Sequence, residues 1–136
     1  TPREIEYSFP LLFDDRTISI MAYNLETILA EKLETILSRN IANTRPRDFY
    51  DVYILYSLRW GECNLSFLKS ALERTATKRG SLSLLADYQI IVTNVRDNPR
   101  MHDFWTNYQK DFDYAKEISF EETCDTVLHI MQALKS

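Results

Sequence analysis

This chain predicts a mainly α fold, a helical domain of about five or six helices preceded by a short β hairpin. Three observations carry that expectation. Apolar residues recur at spacings of three and four from residue 24 onward, the period of helices that bury one face. Helix-start and helix-stop residues punctuate the pattern at short intervals. Strict polar–apolar alternation is confined to residues 1–23, and only two glycines, Gly61 and Gly80, occur in 136 residues. The expected organisation is a single domain over 1–136, with the hairpin at 1–23 and a helical bundle at 24–136.

The hairpin expectation rests on Glu4-Ile5-Glu6-Tyr7-Ser8-Phe9 and Thr17-Ile18-Ser19-Ile20-Met21, separated by Pro10 and an Asp14-Asp15-Arg16 turn. Two strands alone are marginal in water, so they are read as the remnant of a larger sheet. Asn24 then caps a helix whose stripe is Leu25, Ile28, Leu29, Leu33, Ile36 and Leu37. Glu26 sits in its first turn, where the helix dipole favours a carboxylate. The pentapeptide Leu-Glu-Thr-Ile-Leu occurs at Leu25 and again at Leu33, as helical periodicity rather than a domain repeat. A second helix starts near Pro46 and stops at Gly61, with Phe49, Tyr53, Tyr56 and Trp60 on one face and Asp48, Asp51, Val52 and Leu55 on the other.

Further along, Asn64 caps a helix ending at Gly80, and residues 81–96 form one helix or two short ones. Asn98-Pro99 opens a helix carrying Phe104, Trp105, Tyr108 and Phe112. Ser119 to Glu122 is a capping box for a last helix that buries Val127, Ile130, Met131 and Leu134.

Hydrophobic residues make up 45% and charged residues 26%, a globular balance that excludes a disordered chain. The net charge of −4 means that any nucleic-acid contact must come from a local basic patch. No apolar run is long enough to span a bilayer, and a cytoplasmic location is expected. Cys63 and Cys124 lack metal-ligand spacing and are read as reduced structural thiols. No glycine-rich phosphate loop is present. Thr1 and Pro2 open the chain without an initiator Met, so it is read as starting inside a longer protein.

The residues that could carry chemistry cluster between Asn24 and Trp60. Lys32 projects from the middle of the leucine stripe, and Arg39 lies seven residues on along the same line. A cation among leucines needs a carboxylate or an anionic ligand, because desolvating it alone is costly. Asp48 and Asp51 head an otherwise apolar face at the positive end of a helix dipole. Arg45 and Arg47 add guanidinium forks beside that helix N-terminus. Two readings stay open: an ion-pair lattice that fixes two helices, or a polar site in which cations bind phosphate and the aspartates handle a metal or a proton. His102 and His129 are solitary and no zinc set surrounds them. Asp111 and Asp113 read as solvated surface. The Phe104–Phe112 aromatic stripe, which could stack bases, has the spacing of core.

With those residues in place, Tyr23 to Leu58 resembles a signature of the AbiEii/AbiGii toxin family, bacterial nucleotidyltransferases of abortive-infection and type IV toxin–antitoxin systems with a polymerase-β-like catalytic core. Ala30-Glu31-Lys32-Leu33 resembles the family's Ala-Glu-Lys block, and Arg45-Pro46-Arg47-Asp48-Phe49-Tyr50-Asp51 its Arg-x-(Lys/Arg)-Asp-x-x-Asp block. Trp105, Tyr108, Tyr114-Ala115 and Ile118-Ser119-Phe120 are similar, less specifically, to family tails. The resemblance implies the C-terminal helical portion of such an enzyme. It implies phage defence, a nucleoside triphosphate and Mg2+ for the full-length enzyme, transfer to an acceptor such as the 3′ end of tRNA, and a cognate antitoxin. By resemblance Lys32 would contact the triphosphate and Asp48 would be the catalytic acid, with Asp51 and Arg45 in support. The candidate catalytic set is thus Lys32, Asp48 and Asp51, and the polar-site reading of the residues puts Lys32, Arg39, Arg45 and Arg47 on nucleotide phosphates. Lys32 and Asp48 are expected to face each other across a cleft only partly enclosed.

The chain departs from the family pattern in lacking the Gly-Ser motif followed by Asp-x-Asp that holds two magnesium ions. Gly80-Ser81 is followed only by a lone Asp87. The N-terminal catalytic half is therefore expected to be missing, with no metal held and no turnover by this chain alone. The competing function is a non-catalytic helical protein-interaction module with structural Lys/Arg–Asp ion pairs.

Overall fold

A computed structural model describes residues 24–135. The hairpin expected over 1–23 lies outside the described residues. Within them the chain is helical, as its periodicity predicts, and the helices are α1 (Leu25–Arg39), α2 (Pro46–Arg59), α3 (Leu65–Arg79), α4 (Tyr88–Asp97), α5 (Pro99–Asp111) and α6 (Phe120–Lys135). Short 3-10 turns at Asn40–Ala42, Trp60–Glu62, Leu82–Asp87 and Asp113–Ala115 join several of them.

The boundaries follow from side-chain chemistry. Asn24 Oδ1 accepts the Thr27 N–H at 2.8 Å, and Asn64 Oδ1 accepts that of Phe67 at 3.0 Å. Ser119 and Glu122 exchange the two bonds of a capping box, each 3.0 Å long. Gly80 ends α3 at φ 75°, where a side chain would be strained. Gly61 sits differently from expectation. α2 already ends at Arg59, and Gly61 falls inside the 3-10 turn that follows.

α1 is the central strut and packs on both α2 and α3, while α6 covers α2, α3 and α4. Leu29, Leu33 and Ile36 of α1 are fully buried, each worth about 1.5–3 kcal/mol over exposure. On the α3 side Ala30 and Ala71 are both buried, and their small side chains let the two helices approach closely.

Two buried glutamates fix the register of α1 on α3. Glu26 accepts the backbone N–H of Asn64 at 2.7 Å, at the start of α3. Glu34 accepts Ser81 Oγ and Arg79 Nη1, both at 2.7 Å, at its end. The helices therefore run in the same direction, with a carboxylate at the positive end of α3.

The other half of the core is aromatic. Phe49 and Phe120 meet edge to face with centroids 5.1 Å apart, and the wholly buried Tyr50 lies 4.7 Å from Tyr114. Trp105 donates its indole N–H to Ile118 O at 2.9 Å, and Gln109 Nε2 donates to the same oxygen at 2.8 Å. Trp105 and Tyr108 are buried, with Phe104 and Phe112 packed alongside, as core spacing predicts. Asp111 and Asp113 are exposed. Cys63 and Cys124 are both free thiols. Among the described residues, no helix is long and apolar enough to cross a membrane.

Candidate functional site

The contact between α1 and the first two turns of α2 brings the charged residues together. Three positions apart on a helix, Asp48 and Asp51 share one face. Pro46 in the first turn presets the backbone of α2 there without sacrificing a helical hydrogen bond. Lys32 reaches that face from α1, its Nζ 3.2 Å from Asp48 Oδ1 and 3.0 Å from Asp51 Oδ2. Both carboxylate side chains are almost wholly buried, at 2% and 1% exposure, and Lys32 retains 13%. A lysine ammonium has three N–H donors, so these carboxylates leave one over.

The convergence of Lys32, Asp48 and Asp51 follows the spacing in the sequence, whereas the expected cleft between Lys32 and Asp48 is corrected. The two are in direct contact, because a buried carboxylate closes onto its counter-ion rather than standing apart from it.

The triad carries one net negative charge, and Arg45 offsets part of it. Its Nη2 lies 3.8 Å from Asp48 Oδ1, with half of the side chain exposed. Solvent screening at that distance keeps the attraction modest. Asp48 Oδ2 is buried and accepts no hydrogen bond among the described residues. A second cation or donor approaching Asp48 would meet an oxygen with its capacity unfilled.

Arg47 and Arg39 stand elsewhere. Arg47 lies against the aromatic group of α5, with its guanidinium carbon 5.3 Å from the Phe112 centroid and 6.0 Å from that of Tyr108. Burial pushes the Tyr108 phenol well above its usual range, and its 2.8 Å hydrogen bond with Tyr114 adds to the shift. This aromatic wall beside α2 therefore stays neutral at physiological pH. Arg39 is exposed in the last turn of α1 and forms no ion pair among the described residues. Seven residues beyond Lys32 it keeps nearly the same angular position, yet its side chain is exposed where that of Lys32 is mostly covered.

Three buried polar residues escape a reading by helical face. Glu26 and Glu34 occupy equivalent positions in the repeated Leu-Glu-Thr-Ile-Leu, and that repeat is the signal that pairs them. Asn43 is completely buried in the loop before α2, and its only sequence sign is an asparagine two residues before Arg45.

Among the described residues no group of three or more His, Cys, Asp or Glu side chains is placed to hold a metal. Asp48 and Asp51, the acidic pair that the described residues bring to the site, both turn onto Lys32, whose ammonium occupies the position a cation between them would take. These residues do not by themselves fit a magnesium ion, and no step through one is derived. What the arrangement can do is hold one ammonium at a fixed point beside a half-exposed guanidinium, a geometry suited to phosphate oxygens.

A family model described as "Nucleotidyl transferase AbiEii toxin, Type IV TA system" matches residues 1–128. No curated protein and no solved structure matches the chain.

Proposed function

The chain belongs to the AbiEii nucleotidyl transferase toxin family of type IV toxin–antitoxin systems, and we propose that it is the helical part of a polymerase-β-like enzyme that transfers a nucleotide from a nucleoside triphosphate to an acceptor, tRNA being the leading candidate. The observation that supports this reading is the fixed placement of Lys32 by Asp48 and Asp51, beside Arg45.

In nucleotidyl transfer an acceptor hydroxyl loses its proton to solvent as its oxygen bonds to the α-phosphorus, the bond to the bridging oxygen breaks, and pyrophosphate leaves with the excess charge. Lys32 offers its remaining N–H to a phosphate oxygen of that leaving group, and Arg45 swings from the rim onto the same phosphates. Lys32 stabilises charge that grows in the transition state, while Arg45 helps to hold the substrate's phosphates. Asp48 and Asp51 aim the ammonium, so little reorganisation is needed at the moment of reaction. Arg47, held against Phe112, lines the approach. Magnesium would be supplied by residues outside those described, and the described residues alone are inactive. The family also implies a cognate antitoxin; the setting proposed is cytoplasmic phage defence.

The closed Lys32–Asp48–Asp51 contact also favours a second reading, a non-catalytic interaction module in which the triad only locks α1 to α2. The full-length gene product incubated with labelled nucleoside triphosphates and total RNA separates the two. Labelled RNA that disappears with Lys32→Ala supports the enzyme. Unlabelled RNA, or equal labelling by the variant, contradicts it. A strand ending in Asp-x-Asp ahead of residue 1 in the parent gene would point the same way as labelling.

A further inference from the structure

The loop between α1 and α2 is built more firmly than a solvated turn requires. Asn40 enters it at φ 53° and ψ −137°, a positive-φ conformation that residues with a side chain rarely adopt, and its Oδ1 accepts the Ile41 N–H at 2.8 Å. Arg100 of α5 reaches across and donates Nη1 to Ile41 O at 3.0 Å. Asn43 follows with no exposed surface at all, and its Oδ1 accepts the Arg45 N–H at 2.7 Å. On the other side, the Asp48 N–H donates to Arg45 O at 3.2 Å. The Arg45 backbone is thus gripped from both sides, while its side chain is half exposed and makes no cap bond to α2.

Asn43 does this at a cost. Its Nδ2 is buried without a hydrogen-bond partner among the described residues, which is destabilising for an amide donor. A loop selected only for stability would use a shorter acceptor or expose the amide. The bond at the other end, to the N–H of an exposed arginine, is what the burial secures.

We infer that Asn43 is a positioning residue, which fixes the Arg45 backbone so that the guanidinium projects over Asp48 and Lys32 toward a phosphate of the nucleotide substrate. This rests on the nucleotidyltransferase reading above. Asn43 touches no substrate; it acts through Arg45. Its contribution is to substrate capture rather than to the chemical step, since Arg45 stands at the rim and not between the buried carboxylates.

The test is steady-state labelling by the full-length protein at varied nucleoside triphosphate, for Asn43→Ala, Asn43→Asp, Arg45→Ala and the Asn43→Ala/Arg45→Ala pair. Asn43→Ala is expected to raise KM about tenfold with kcat within about twofold, as for loss of a binding contact. Asn43→Asp keeps the Oδ1 acceptor and should stay within about threefold of wild type in KM. In the Arg45→Ala background, Asn43→Ala should add less than about twofold, because the residue it acts through is already gone. An equal KM effect in both backgrounds, or none in either, overturns the inference while leaving the enzyme reading intact. A wild-type protein that transfers nothing removes the enzyme reading and this inference with it. Should Asn43→Ala fail to fold, Asn43→Ser supplies a hydroxyl that can accept the same N–H, and the same comparison with Arg45→Ala decides.

Discussion

Replacing Lys32 by methionine is the sharpest perturbation the fold offers. Methionine keeps most of the side-chain volume and removes the one ammonium that both buried carboxylates contact. Asp48 and Asp51 have 1% and 0% of their surface exposed, so water cannot replace the lost partner. Breaking a buried pair in this way costs about 3–5 kcal/mol, mostly the penalty of a buried Asp48 carboxylate left with only the Arg45 guanidinium, 3.8 Å away. With a urea m-value of about 2 kcal/mol/M, reasonable for a domain of this size, the midpoint should fall by about 1.5–2.5 M. The assay is urea denaturation of the purified chain followed by helical circular dichroism and tryptophan fluorescence. The converse substitution is as informative. Lys32→Met combined with Asp48→Asn and Asp51→Asn removes charge from all three positions together, and most of the lost stability should return. A Lys32→Met midpoint within about 0.3 M of wild type would refute the premise that Lys32 is what compensates these carboxylates.

Other consequences are simpler to read. Burial pushes the Cys63 thiol to about 11 and the Cys124 thiol to about 12, with Glu26 contributing at Cys63. A disulfide-exchange reagent at pH 8 should therefore label the folded chain far more slowly than the urea-unfolded one; equal rates would contradict the burial. Both thiols stay protonated in the folded state, so their contribution to stability is intact below about pH 9 and is lost as pH rises toward about 12. Denaturation midpoints measured from pH 8 to 11 should decline, and Cys124→Ala should flatten that decline. Ser81→Ala removes a 2.7 Å hydrogen bond to the buried Glu34 carboxylate and should cost about 1.5–3 kcal/mol in chemical denaturation; a neutral result would mean that Arg79 alone satisfies Glu34. Ser119→Ala opens the capping box of α6 and should cost about 1 kcal/mol by the same measurement, with an unchanged midpoint counting against the cap.

Local chemistry in this chain is legible at its helix ends. Asn24, Asn64, Gly80, Asn98-Pro99 and Ser119–Glu122 each act within three or four residues of where they stand, so their effect can be read without knowing the fold. The meeting of Lys32 with Asp48 and Asp51 is legible for a related reason. An ionised group set in an apolar stripe demands a partner, and the next helix carries two, Asp48 in its first turn and Asp51 one turn on. Arg39 shows the limit of that logic. Helical periodicity gives the angle around an axis, not what packs against it at each level, and Arg39 shares the angle of Lys32 yet is exposed. Glu26 and Glu34 fail for the opposite reason. Their partners lie 38 to 47 positions away across α3, a separation no helical face records. Whether the triad is open or closed was equally out of reach, since spacing cannot distinguish a 3 Å ion pair from two groups waiting for a ligand between them.

That last distinction is the one on which the functional account depends. A variant that keeps the fold but abolishes the site separates site from lattice, and Lys32→Met/Asp48→Asn/Asp51→Asn is designed for that purpose. The measurement is transfer of label from nucleoside triphosphates to RNA by the full-length protein carrying these three substitutions, at a temperature where its helical signal matches wild type. The account predicts at least about a hundredfold less labelled RNA, as when charge-stabilising groups are removed from a transition state. Labelling within about threefold of wild type would contradict it and leave Lys32, Asp48 and Asp51 as an ion lattice between two helices.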